Sequence, residues 1–214
     1  MNIQAVIFDM DGLLMDSEGV GLEVMHQCGF LQRKDIPIPL IEKTLGANTQ
    51  AASQLYHEFD PQIDTVRLFQ DFTAAMHDLA REKKIPLKKG ALELLTAIKE
   101  KGLPCAVASS SYLDTIELYL DSVNVKHYFS ALVTAHGLPS KPAPDVFLKA
   151  AKALDTPPES CLVLEDSVNG VKAGRAAGMT VCMIPDLIPF TPELAPYCDH
   201  VLPDLSAVIP LVTA

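Results

Sequence analysis

The chain has 214 residues, of which 49% are hydrophobic and 21% charged, and its formal net charge is −10 at pH 7. This composition excludes a disordered chain, and the acidic balance argues against nucleic acid or an anionic membrane surface as a partner. The start of the chain does not have the pattern of a signal peptide, and no apolar stretch reaches the about 18–20 residues that span a bilayer. We therefore expect a cytoplasmic protein. We also expect it to be a monomer.

Short apolar runs alternate with helical patterns along most of the chain, which is typical of an α/β domain with a parallel sheet. Continuous apolar runs of this kind suit strands that are covered on both faces. The predicted strands are 3–8, 103–108, 131–134, 161–164, 180–184 and 200–202, and the predicted helices between them are about 90–101, 111–122, 144–154 and 167–177.

Residues 16–86, which we call the helical insertion, interrupt this alternation with helical patterns alone. The patterns cover about 17–31, 38–45, 48–58 and 62–84, and prolines separate several of them. We therefore predict two domains: an α/β core of residues 1–15 and 87–214, and an all-helical domain inserted after the first strand.

Two carboxylates, Asp9 and Asp11, directly follow the first predicted strand. Active sites of open parallel sheets lie at the carboxyl ends of strands, and residues two apart on an extended chain face the same way. Two adjacent carboxylates need a proton or a cation between them, and Mg²⁺ prefers oxygen ligands. For these residues alone, a simple turn capped by Asp9 is an equally good interpretation.

A second acidic pair, Glu165 and Asp166, follows the predicted strand 161–164. By itself this pair is better explained as a helix start, with Asp166 or Ser167 as the N-cap. Two acidic strand ends in one sheet, however, indicate a divalent metal site.

Two further strand ends offer groups that bind anions. Ser109 and Ser110 stand where a strand ends and a helix begins, a junction at which hydroxyls and free N–H groups favour an anion. Lys141 precedes another predicted helix, where the helix dipole disfavours a cation unless a negative partner holds it. Each has an ordinary alternative, an N-cap for the serines and a solvated loop for the lysine.

Taken together and in order, these segments resemble the four motifs of the haloacid-dehalogenase-like hydrolase superfamily. The resemblance matches residues 9–18 to motif one, 108–110 to motif two, 141–145 to motif three and 164–170 to motif four. It implies a doubly wound, Rossmann-like core. The helical insertion resembles the helical cap of the subgroup that contains β-phosphoglucomutase and sugar-phosphate phosphatases.

The resemblance implies a Mg²⁺-dependent phosphatase that hydrolyses a small phosphomonoester through an aspartyl-phosphate. Asp9 would be the nucleophile and Asp11 the general acid and base, while Ser109, Ser110 and Lys141 would hold the phosphoryl group. The ion would be bound by Asp9, the Asp11 backbone carbonyl and Asp166, with Glu165 as a direct or water-mediated ligand.

The loop 45–50 would recognise the leaving group of the substrate. Its polar side chains, Asn48, Thr49 and Gln50, are uncharged. They favour hydroxyl recognition, as in a sugar phosphate or a nucleotide-like ester.

Several alternatives stay open at the level of the sequence. A β-phosphoglucomutase-type phosphoryl transfer is the nearest, although Thr49 and Gly21 occupy the regions where that pattern has an arginine and a histidine. A phosphonate-cleaving relative would need a lysine such as Lys34 or Lys43. A receiver-like regulatory domain or a silent binding module would lack turnover.

Overall fold

Six strands form one sheet in this computed structural model, which describes residues 3–213. All neighbouring strands run parallel, in the order β3-β2-β1-β4-β5-β6, so the predicted doubly wound sheet is confirmed. The strands are β1 (Ala5–Phe8), β2 (Cys105–Ser109), β3 (Ala131–Thr134), β4 (Cys161–Glu165), β5 (Thr180–Met183) and β6 (His200–Val201).

The apolar runs become strands because helices cover both faces of the sheet. Every residue of β1, β2 and β4 is buried. Alternate residues of β1 enter different hydrophobic clusters: Val6 and Phe8 pack on one face, and Ala5 and Ile7 pack on the other. Residues two apart on a strand share a face, so an uninterrupted apolar run satisfies both sides at once.

The helical insertion contains four helices. They are α1 (Ser17–Leu31), α2 (Ile38–Glu42), α3 (Thr49–Phe59) and α4 (Thr65–Arg81). The last helix begins three residues later than predicted, because the Asp64 side chain accepts a hydrogen bond from the Arg67 amide and caps it there.

The two ends of the helical insertion lie side by side. The Asp16 amide donates a hydrogen bond of 2.9 Å to the Pro86 carbonyl, and Met15 forms an antiparallel bridge with Leu87. A chain that leaves and re-enters the sheet at one point is what an inserted domain requires, while the exact division at residues 16 and 86 stays a prediction.

Helices and short 3₁₀ segments complete the remainder of the chain. The α-helices are α5 (Ala91–Lys101), α6 (Leu113–Ser122), α7 (Asp145–Ala153), α8 (Val168–Ala176) and α9 (Ile209–Thr213). The 3₁₀ segments are Lys126–Tyr128, Pro158–Ser160, Pro192–Tyr197 and Leu205–Val208. The sequence did not predict α9. Within residues 3–213, no helix is both long and apolar enough to cross a membrane.

Candidate active site

The polar strand ends predicted from the sequence meet at the carboxyl edge of the sheet. Asp9 follows β1, Ser109 ends β2, and Glu165 ends β4 with Asp166 directly after it. Because β1 pairs with β2 on one side and with β4 on the other, these ends are neighbours. Lys141 joins them from the loop after β3, and its ammonium group contacts both Asp9 and Glu165.

Lys141 is a buried cation held by two carboxylates. Its Nζ forms an ion pair with Asp9 Oδ1 and another of 2.6 Å with Glu165 Oε1, and only 8% of the lysine side chain is exposed. Burial alone would lower the pKa of Lys141, but the charges of Asp9 and Glu165 outweigh it and raise that pKa. The lysine therefore stays charged at the centre of the site.

The position of Glu165 is fixed by the start of α8. Its Oε2 accepts hydrogen bonds of 3.0 Å from the amides of Asp166 and Ser167 and from the Ser167 hydroxyl. A Cβ at Gly170 would lie 1.8 Å from the Glu165 carboxylate, so only glycine leaves room for it. Both oxygens of Glu165 thus have partners, with Oε1 directed at Lys141.

Asp166 has a carboxylate oxygen that lacks a partner. It is 2% exposed, and its Oδ2 is buried without a hydrogen bond from any residue of the range 3–213. The backbone passes very close to it at Gly12, where a Cβ would lie 2.5 Å from Oδ2 and φ is +80°. Burial and then the charges of Glu165 and Asp9 raise the pKa of Asp166. An unpaired buried carboxylate is costly, so this oxygen is suited to binding a cation.

The acidic groups around this oxygen fit a divalent metal ion. Carboxylate oxygens of Asp9, Glu165 and Asp166 all lie within 4.8 Å of one another. Burial and the charges of Glu165 and Asp11 raise the pKa of Asp9 to about 7, even though Lys141 opposes the shift. Mg²⁺ takes such hard oxygen ligands, so the donors present suit this ion.

Three serine hydroxyls hold the carboxylate of Asp11. Ser17 Oγ donates to Oδ1 at 2.7 Å, and the Oγ atoms of Ser111 and Ser109 donate to Oδ2 at 2.9 and 3.3 Å. The sequence indicated Ser109 but neither of the other two. Ser111 belongs to the same serine run, and Ser17 lies in the segment 9–18 that was matched to motif one, so each had a signal that could have found it.

Glu18 is a site residue that the sequence analysis missed. Its Oε2 is buried, and none of the residues 3–213 donates a hydrogen bond to it. Burial, followed by the charges of Asp11 and Asp9, raises its pKa to about 8. Glu18 lines the cavity described next, so its carboxyl group is available to a ligand there.

A cavity of about 430 Å³ joins these groups to the helical insertion. The insertion contributes Asn48 and Thr49 to its wall, and Asn48 also caps α3 by accepting from the Ala51 amide at 2.9 Å. Gln50 is exposed on α3 and is not among the lining residues. The core residues that line the cavity include Asp9, Asp11, Ser109, Ser110, Lys141 and Asp166.

One hydrogen bond ties the insertion loop to the core above the cavity. Asn169 Nδ2 donates to the Gly46 carbonyl at 2.9 Å. The two lysines considered for phosphonate chemistry lie elsewhere: Lys34 pairs with Asp60 at 2.6 Å, and neither Lys34 nor Lys43 is among the residues that line the cavity.

Comparison with known proteins agrees with this geometry. The family model for haloacid dehalogenase-like hydrolases matches residues 3–178. The chain belongs to this family. Its similarity to curated phosphatases, given next, shows that it is a phosphatase of the family.

Two curated relatives cover most of the chain. Hexitol phosphatase B of Escherichia coli K12 is 36% identical over 192 residues, which are 86% of this chain and 84% of the relative. The protein named "Probable pseudouridine-5'-phosphatase" of Drosophila melanogaster is 31% identical over 188 residues, or 84% of this chain and 80% of the relative. Both names denote phosphatases of small phosphorylated metabolites.

A solved structure shares the fold. The β-phosphoglucomutase of Clostridium difficile has a TM-score of 0.79 and 21% identity, with 96% of this chain and 93% of that chain covered. At this identity the similarity supports the Rossmann-like haloacid dehalogenase fold and carries no information on the reaction.

Proposed function

We propose that this haloacid dehalogenase-like hydrolase is a Mg²⁺-dependent phosphatase that forms an aspartyl-phosphate on Asp9. Its substrate is a small phosphomonoester such as a sugar phosphate or a nucleotide-like ester. One observation carries the proposal: the Asp9 carboxylate lies at the end of β1, paired with the buried cation Lys141 and within 4.8 Å of an oxygen of Asp166.

In the first step a carboxylate oxygen of Asp9 attacks phosphorus, and the bond from phosphorus to the alcohol oxygen breaks. Asp11 donates its proton to the departing oxygen, because an alkoxide is a poor leaving group. The hydroxyls of Ser17 and Ser111, which donate to the Asp11 carboxylate, hold this group in position. Alcohol leaves, and the phosphoryl group stays on Asp9.

In the second step water attacks the phosphorus of the aspartyl-phosphate. Asp11 removes a proton from this water, the bond between Asp9 and phosphorus breaks, and inorganic phosphate departs. Splitting one displacement into two with the same acid–base group restores both aspartates to their starting states.

The phosphoryl oxygens are held by Lys141, Ser109 and Ser110 in our proposal. Lys141 supplies a fixed positive charge that needs no rearrangement when charge develops in the transition state. Its ion pairs with Asp9 and Glu165 hold its ammonium group at the wall of the cavity.

The carboxylates of Asp9 and Asp166 and the backbone carbonyl of Asp11 would hold Mg²⁺, with Glu165 as a direct or water-mediated ligand. When bound, the ion supplies positive charge that offsets the clustered carboxylates and the substrate phosphate. The unpartnered Asp166 oxygen supports this assignment.

Residues 16–86 act as a cap domain that covers the substrate, and loop 45–50 contacts the leaving group through Asn48, whereas Gln50 is exposed outside the cavity. The bond between Asn169 and the Gly46 carbonyl supports a cap that closes onto the core. A covered cavity of this size accepts small esters and excludes a folded phosphoprotein.

The test is phosphate release from a panel of small phosphomonoesters with Mg²⁺, compared with a folded phosphoprotein. We expect many phosphates released per enzyme from small esters and none from the phosphoprotein. Release of at most one phosphate per chain would instead support a receiver-like domain. Equal rates on the phosphoprotein would contradict the covering role of residues 16–86.

Phosphoryl transfer between sugar positions is the second candidate, favoured only by the shared fold. A mutase must bind a second phosphate in the cap. In the regions where the mutase pattern has an arginine and a histidine, this chain has Thr49 and Gly21. Thr49 lines the cavity but offers no charge. Losing a buried charged pair costs roughly 2–5 kcal/mol, so we expect hydrolysis.

This expectation is checked by phosphorus NMR. The enzyme is incubated with β-glucose 1-phosphate, Mg²⁺ and a catalytic amount of glucose 1,6-bisphosphate. We expect inorganic phosphate without accumulation of glucose 6-phosphate. Glucose 6-phosphate appearing faster than phosphate would establish the mutase reaction.

A further inference from the structure

A second cavity, of about 330 Å³, lies between the helical insertion and the core, next to the candidate active site. Helices α1, α3 and α4 wall it on one side, and the start of α6 closes it from the core. Its apolar lining residues include Met25, Ile41, Ala52, Phe69, Phe72 and Met76. Four of these, Met25, Ile41, Ala52 and Met76, are buried, so the cavity lies among the packed side chains of the insertion.

The two cavities are continuous at the general acid. Asp11, Glu18 and Thr49 line both of them. In the proposed reaction the oxygen of the departing alcohol lies beside Asp11, while Lys141 and Ser109 hold the phosphate in the first cavity. The remainder of the alcohol therefore extends from Asp11, and the second cavity begins at that point.

One wall of the second cavity is apolar and consists of Met25, Ile41, Phe69, Phe72 and Met76, while the hydroxyl-bearing residues Thr49, Thr73, Tyr112 and Tyr119 line other parts of it. Thr44 Oγ1 already donates to the Ile41 carbonyl at 2.7 Å, and His77 Nε2 is bonded to Thr115 Oγ1 at 2.8 Å. A hydroxyl group placed among Met25, Phe69 and Phe72 would lose its water without replacement, which is unfavourable. An apolar group would gain from the same burial.

From this continuity and this lining we propose that the alcohol of the substrate carries an apolar ring that occupies the second cavity. The side chains of Phe69, Phe72, Met25 and Met76 in the wall suit a flat apolar ring, because thioethers and aromatic edges pack well against one. The inference rests on the proposed phosphatase function and, among small phosphomonoesters, favours an alcohol with an apolar ring over a polyhydroxylated sugar.

The first test compares three esters on the unmodified enzyme with Mg²⁺: ethyl phosphate, 2-phenylethyl phosphate and sorbitol 6-phosphate. All three release an alkoxide, so differences in kcat/KM report mainly on how the alcohol is bound. Burying a phenyl group should raise kcat/KM for 2-phenylethyl phosphate roughly tenfold to a hundredfold over ethyl phosphate. Equal values for those two esters, or a preference for sorbitol 6-phosphate over 2-phenylethyl phosphate, would overturn the inference.

The second test uses a matched pair of variants on α3. Ala52→Leu adds an isopropyl group to the wall of the cavity, whereas Ala51→Leu makes the same change at the neighbouring exposed position. We expect Ala52→Leu to lower kcat/KM for 2-phenylethyl phosphate roughly tenfold and to leave ethyl phosphate unchanged, and Ala51→Leu to change neither. Equal effects of the two variants would contradict the inference.

Thermal unfolding of both variants shows whether Ala52→Leu folds. If it does not, Thr73→Leu replaces it, since Thr73 is exposed and lines the same cavity. Ethyl phosphate distinguishes failure of the phosphatase proposal from failure of the ring inference. Turnover of ethyl phosphate without any gain from the ring would leave the phosphatase proposal intact and overturn the ring inference, whereas no release from any of the three esters would overturn both.

Discussion

Replacing Asp9 by asparagine should lower kcat by at least about a thousandfold, because the nucleophile is lost. The amide has nearly the same shape as the carboxylate but is neutral and a poor nucleophile. Lys141 keeps its ion pair of 2.6 Å with Glu165 in the variant, so the floor of the site stays assembled. The measurement is the rate of phosphate release by purified Asp9→Asn with saturating Mg²⁺.

The control for this variant is Asp78→Asn, which makes the same chemical change on the exposed surface of α4, where Asp78 pairs with Arg81. We expect that control to retain full activity. Both variants should unfold in one transition close to that of the unmodified protein. More than about a tenth of normal activity in Asp9→Asn, with contamination excluded, would be incompatible with catalysis through Asp9.

Removing Mg²⁺ with a chelator should abolish activity, and added Mg²⁺ should restore it. Without the ion, the carboxylates of Asp9, Glu165 and Asp166 repel each other and the substrate phosphate, and Lys141 is the one cation that contacts them among residues 3–213. Ca²⁺ should substitute poorly, because its larger and looser coordination shell disturbs in-line attack. The measurement is phosphate release against free metal concentration.

Asp166→Asn should raise the Mg²⁺ concentration needed for half-maximal activity by at least about tenfold, as expected when a charged ligand is lost. Glu159→Gln is the matched control, since Glu159 is exposed just before the other end of β4. It should leave the metal requirement unchanged. Full activity in excess chelator, or the same metal requirement in both variants, would refute the metal assignment.

The sheet and the polar strand ends could be predicted because both depend on local sequence. An apolar run such as 161–164 favours a strand covered on both faces, and the carboxyl ends of parallel strands meet at one edge. Glu165 and Asp166 therefore reach the same site as Asp9 although more than 150 residues separate them, and the structure places all three within 4.8 Å.

The parts that depend on how the insertion packs on the core could not be predicted. Ser17 and Glu18 look like the ordinary start of a helix, and only the tertiary structure brings Ser17 to Asp11 and leaves a Glu18 oxygen without a partner in the described range. In the sequence, Ala52 and Phe72 fit the apolar faces of two helices. The sequence therefore does not predict the cavity that both residues line. The end of α2 at Glu42 was also missed, because the periodicity continues into the following turns.

Covalent transfer of the phosphoryl group to Asp9 can be tested by trapping the aspartyl-phosphate. Asp11→Asn is mixed with Mg²⁺ and an aryl phosphate, whose leaving group needs no proton, so that the aspartyl-phosphate forms but its hydrolysis is slow. The reaction is quenched in acid, reduced with borohydride and analysed by peptide mass spectrometry. We expect homoserine at position 9. A reduced aspartate at another position, or none while phosphate is still released, would contradict it.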